Sequence, residues 1–211
     1  ALIVATLVAA TAPAATDAQQ EPQPRPQQRR PAKKSAEPTH ADVSYGEDAQ
    51  QKIDIYLAKS DKPTPLVLFI HGGGFRGGSK RGVNPQPFLD AQISLAAVEY
   101  RFVQHKRLPA AHHDCRRAIQ FLRHHAREYN FDKTRVGAFG GSAGAQLCMY
   151  LAFHDEMADA KSDDPIERES TRLTCVATSG GQTTMDFAWW HENVPGYDQP
   201  HRDISAIFDA E

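Results

Sequence analysis

A chain of 211 residues, 40% of them hydrophobic, has enough apolar material for one core and sets the expectation of a single folded domain. Its 24 Lys plus Arg stand against 26 Asp plus Glu, a formal net charge of −2, too even for the field that nucleic acid or an anionic membrane surface requires. A small, roughly neutral molecule is the partner this balance suits.

The chain opens on ALIVATLVAA, an apolar run too short to span a bilayer and followed by small residues, so residues 1–18 read as the remnant of a secretory signal and predict a secreted or periplasmic protein. Residues 19–39 are rich in Pro, Gln and basic side chains and nearly free of aliphatics, a composition that cannot offset the entropy of ordering; they read as a disordered linker. The folded domain is expected over residues 40–211. HADVSYG and QKIDIYLAK each alternate apolar and polar residues around Gly46-Glu47-Asp48, which predicts an antiparallel hairpin. PLVLFI (65–70), ISLAAVEY (93–100), RVGAF (135–139) and LTCVATS (173–179) are apolar runs of the kind buried on both faces of a mostly parallel sheet.

Between these strands, Ala111, Cys115, Ala118, Ile119, Leu122, Ala126 and Tyr129 recur at three- and four-residue intervals and predict an amphipathic helix over 108–129. AGAQLCMYLAFH (143–154) predicts a second helix, and the acidic stretch 155–170 a surface connection. A hairpin leading into β-α-β alternation predicts an open α/β sheet with helices on both faces. Cys115, Cys148 and Cys175 are odd in number and widely spaced, so they read as small buried hydrophobes; pairing of Cys115 or Cys148 with Cys175 stays open. His112, His113, His124 and His125 lack the spacing of a metal site and read as exposed.

The loop HGGGFRGGSK (71–80) admits three chemistries. Gly72, Gly74 and Gly77 satisfy the dinucleotide fingerprint and Glu99 lies near where a ribose-binding acid belongs, but residues 76–87 carry too many Gly and Pro for the helix that fingerprint opens. A nucleotide-cofactor oxidoreductase is therefore the weaker alternative. Gly78-Ser79-Lys80 reverses the order of a phosphate loop. The third reading is a backbone whose N–H groups, at Gly73 and Gly74, turn toward a carbonyl oxygen as it becomes anionic, with side chains at either position obstructing the approach. Gly140-Gly141-Ser142-Ala143-Gly144 supports it, because G-x-S-x-G between a buried strand and a helix is the context of a nucleophile elbow: Ser142 sits on a sharp turn and the Ala143 N–H joins the same oxygen.

HGGGF at 71–75, VEYRF at 98–102, LPAAHHDCRRAIQFLR at 108–123 and GGSAG at 140–144 resemble the esterase/lipase branch of the α/β-hydrolase superfamily, close to bacterial carboxylesterases with an HGGG loop. The resemblance implies an α/β-hydrolase fold and a serine carboxylic ester hydrolase that needs no cofactor and no metal and acts through an acyl-enzyme on a small or short-acyl ester. It implies Ser142 as nucleophile, the N–H groups of Gly73, Gly74 and Ala143 as oxyanion hole, and a structural role for Asp114. In that family an acid and a histidine follow the serine on later strand ends. Nothing after LTCVATS has that form; Asp186, His191, Asp198, His201, Asp203 and Asp209 read as loop or short helix. The expectation is a domain missing its C-terminal strands, with the acid and base beyond residue 211. The alternative from another class is an inactive fragment or binding module.

Overall fold

The computed structural model describes residues 36–184 and 186–195. The apolar run 1–18 and the linker up to residue 35 lie outside the described residues, as do Asp198, His201, Asp203 and Asp209. Among the described residues six strands form one sheet in the order β1-β2-β4-β3-β5-β6. β1 (His40–Ser44) and β2 (Lys52–Tyr56) make the expected hairpin, and β2 joins β4 (Ser94–Val98) antiparallel. From there β4, β3 (Thr64–Ile70), β5 (Phe131–Gly141) and β6 (Cys175–Ser179) run parallel. The helices are α1 (Gln86–Asp90), α2 (Ala110–His124), α3 (Ala143–Phe153) and α4 (Phe187–Asn193).

Strand alternation explains which residues face which layer. Leu66, Leu68 and Ile70 of β3, Ala96 and Val98 of β4 and Val136 and Ala138 of β5 share one core with Ala111, Cys115, Ala118, Ile119 and Leu122 of α2 and Leu147, Cys148 and Leu151 of α3. The opposite face carries Leu95 and Ala97 with Val67, Phe69, Phe139 and Phe88 and Leu89 of α1. That second layer is thin because α1 is a five-residue helix, so Val67 and Phe69 are half-buried where the apolar run predicts full burial. Helix α2 ends at His124, earlier than its periodicity predicts. The chain turns through Asn130, whose φ is 55°, and Ala126 and Tyr129 still reach the core from the turn.

β6 differs most from expectation. It pairs only with β5 among the described residues, so Cys175, Ala177, Thr178 and Ser179 are exposed and only Val176 is half-buried. Cys175 is therefore an exposed free thiol, not a buried hydrophobe, whereas Cys115 and Cys148 are free and buried. No helix among the described residues is long and apolar enough to cross a membrane.

Candidate active site

Strand β5 ends at Gly141 and helix α3 begins at Ala143, leaving Ser142 to turn the chain. It does so at φ 54° and ψ −122°, a conformation that costs a non-glycine residue on the order of 1–3 kcal/mol and persists only where the surroundings hold it. The surroundings are visible. A Cβ on Gly144 would stand 2.0 Å from the carbonyl oxygen of Ile70, and one on Gly140 would stand 2.5 Å from the same atom, so the end of β3 presses directly on the elbow. The Ser142 N–H donates to Ser179 O at 2.9 Å, tying the turn to β6. Ser142 is exposed, and its Oγ has no hydrogen-bond partner among the described residues. The Ala143 N–H belongs to the first turn of α3, where no upstream carbonyl is available within the helix.

The glycine loop lies beside it. A Cβ on Gly72 would be 3.3 Å from Ser142 Cβ, so the two segments meet at the serine. Gly73, at φ 124°, has no room for a side chain, because its Cβ would fall 2.0 Å from Gly77 O. Gly74 is different: it has φ 60° and open space around it, so within the chain its constraint is backbone conformation and not crowding.

Three groups hold this loop. His71, at its start, is buried and stacked on Tyr100 with ring centroids 4.4 Å apart, and the Tyr100 hydroxyl donates to His71 O at 2.9 Å. Its Nδ1 lies 2.8 Å from Gly72 O and its Nε2 2.9 Å from Glu99 Oε1. At the other end, the buried Lys80 ammonium reaches Asp42 Oδ1 at 2.8 Å and Asp54 Oδ1 at 2.7 Å, while its backbone N–H donates to Glu99 Oε2 at 3.2 Å. Burial draws the Lys80 pKa down, but the two carboxylates outweigh it and leave the ammonium above its ordinary value.

Glu99 thus has both oxygens engaged by the loop. After Gly77 the chain forms only a three-residue 3-10 turn at Lys80–Gly82 and then α1, not the helix a dinucleotide site opens. Asp114 is fully buried and accepts from Gln51 Nε2 at 2.7 Å, Arg101 N at 2.9 Å and Arg101 Nη2 at 2.6 Å, which pins the end of β4 to α2.

His112 is buried, contrary to the exposed role its sequence pattern suggests. Its Nε2–H donates to Gln146 Oε1 at 3.1 Å, and its ring stacks on Phe75 at 6.1 Å and meets Tyr150 edge-on at 4.9 Å. Its Nδ1 has no partner among the described residues, so a second proton there would sit unpaired in an apolar pocket. Burial pushes its pKa down to about 4, with Gln146 opposing.

Asp186 and His191 are exposed, and Asp186 Oδ1 accepts from Trp189 N at 3.0 Å at the start of α4. Among the described residues no group of three or more His, Cys, Asp or Glu is placed to hold a metal ion. Sequence reasoning misses Glu99, Lys80 and His112 as parts of this site. For Glu99 a signal exists: β3 and β4 run parallel with Ile70 opposite Val98, so the next residues, His71 and Glu99, stand side by side.

Comparison with known proteins agrees with the fold. The BD-FAE family model matches residues 53–207. A probable isoprenylcysteine alpha-carbonyl methylesterase of Arabidopsis thaliana is 26% identical over 149 residues, 69% of this chain and 31% of its own length. An arylesterase of Saccharolobus solfataricus is 31% identical over 104 residues, 48% of this chain and 34% of its own. Among solved structures, an acetyl ester-xyloside bifunctional hydrolase from Caldicellulosiruptor lactoaceticus superposes with a TM-score of 0.56 at 32% identity, covering 60% of this chain and 47% of that one. The chain thus spans about a third of the length of these curated relatives.

Proposed function

The chain belongs to the BD-FAE family, carboxylesterases with the α/β-hydrolase fold, and from that premise we propose that the whole protein is a serine carboxylic ester hydrolase acting through Ser142. One observation carries the reading: Ser142 stands exposed on a strained turn against Gly72 of the glycine loop, at the N-terminus of α3. In the proposed reaction its Oγ attacks the ester carbonyl. The carbonyl carbon gains the Ser142 oxygen, its own oxygen becomes anionic, and the N–H groups of Gly73, Gly74 and Ala143 stabilise that charge. Collapse expels the alcohol and leaves an acyl-enzyme, which water cleaves through a second tetrahedral intermediate. A histidine oriented by an acid takes the serine proton and returns it to the leaving alcohol. The substrate is read as a small or short-acyl ester, and the leader-like run at 1–18 supports export.

Hydrolysis of p-nitrophenyl acetate by the full-length protein tests the proposal. Ser142→Ala is expected to reduce kcat on the order of 10⁵-fold or more, and a fluorophosphonate is expected to label wild type at Ser142 only. Wild-type protein with neither turnover nor label overturns the reading in favour of a non-catalytic member of the fold.

A further inference from the structure

A loop that supplies backbone donors to a transition state has to hold them still, because a misplacement of about 1 Å costs as much as 10²-fold in rate. Glycines do the opposite by themselves, since they are the residues with most freedom to lose. The loop from His71 to Lys80 begins at the end of β3 and ends in the 3-10 turn, and at both ends it meets one side chain. Glu99 Oε1 takes His71 Nε2 and Glu99 Oε2 takes the Lys80 N–H. The backbone that carries this side chain is held in turn: the Tyr45 hydroxyl donates to the Glu99 main-chain carbonyl oxygen at 2.7 Å. The His71 side chain is only 4% exposed and that of Glu99 19%, so the contacts form largely away from bulk water, where charge-assisted hydrogen bonds are strong. The two loop ends also touch each other, for a Cβ on Gly78 would stand 2.3 Å from His71 Nδ1.

We propose that Glu99 is a positioning residue that closes the glycine loop like a clasp, one carboxylate oxygen on each end, and so holds the Gly73 and Gly74 N–H groups where an oxyanion forms. The second half of this statement rests on Ser142 being the nucleophile; the first half does not. Glu99 acts through the loop and has no role in bond making. What matters is a side chain of this length with two hydrogen-bonding atoms. In the Glu99→Gln variant the amide oxygen still accepts the Lys80 N–H, and the amide N–H donates to Nε2 of a neutral His71 ring whose Nδ1–H stays on Gly72 O. An alanine reaches neither end.

The test measures two independent quantities on the full-length protein: amide hydrogen exchange across residues 71–80, and kcat and KM for p-nitrophenyl acetate. Glu99→Ala is expected to speed exchange in the loop about tenfold or more, with α2 and β5 unchanged. It should lower kcat about 10- to 100-fold with KM within about threefold, the pattern of an interaction realised in the transition state. Glu99→Gln is expected to restore both. If Glu99→Ala does not fold, Glu99→Asp, one methylene too short to span both ends, takes its place with the same expectations. Unchanged loop exchange in the short variant overturns the proposal, and so does a Glu99→Gln protein as loose as the short one. Loop exchange that follows the clasp in a wild-type protein without Ser142-dependent turnover upholds the clasp and removes the proposed function instead.

Discussion

The two segments that meet at Ser142 are held by opposite means. The elbow is held by absence: Gly140 and Gly144 lack side chains, so the Ile70 carbonyl can press where a Cβ would otherwise stand. The glycine loop is held by presence: a His–Glu contact, an ammonium between two carboxylates and a stacked tyrosine surround a backbone that would otherwise be free. Steric confinement resists salt and pH, whereas charge pairs respond to both. One site therefore contains a half held by shape and a half held by charge.

The sharpest break of the contrast lies on the steric side. Gly144→Ala would place a methyl 2.0 Å from a main-chain oxygen that cannot swing away, and we expect a loss of about 4 kcal/mol or more in denaturant unfolding, or no folded protein. On the electrostatic side, Lys80→Met leaves buried Asp54 without its cation and should cost about 3 kcal/mol. Added salt should rescue neither variant, and a Gly144→Ala protein of wild-type stability would refute the steric half of the comparison. His112 sharpens the contrast, because it touches Phe75 of the loop and Gln146 of α3 together. Its folded pKa of about 4 lies below the ordinary 6.5, so between these values the unfolded chain binds the extra proton. Stability from this group is complete above about pH 6.5 and is lost as pH falls toward 4, by roughly 2 to 3 kcal/mol. Thermal unfolding against pH measures that slope, and His112→Phe should flatten it. Asp132 and Glu156, lowered to about 2 by hydrogen bonds, contribute below that window.

How much of this is legible in the sequence follows the same division. The hairpin, the buried strands, the elbow and the burial of α2 rest on local pattern: alternation, helical period and a five-residue motif surrounded by the elements it needs. The helix boundary at His124 and the exposed face of β6 depend on what packs alongside, which periodicity does not encode. The charged supports are illegible for a related reason. Lys80 and Asp42 are far apart in sequence, and nothing local distinguishes a buried lysine from a solvated one before the hairpin is folded over it. His112 looks like one of four surface histidines until α3 is laid against α2. Glu99 invites the wrong chemistry, because its distance along the chain fits a ribose site while its neighbour across the sheet is His71.

The grip of Lys80 on Asp42 and Asp54 has a practical consequence for anyone cutting this protein down. The front hairpin resembles a dispensable flap on the sheet's margin, yet it supplies both acidic posts to which the far end of the HGGG segment is moored. Shortened versions should start ahead of His40, since removing β1 or β2 would loosen the glycine loop from a distance without touching Ser142 or the loop itself.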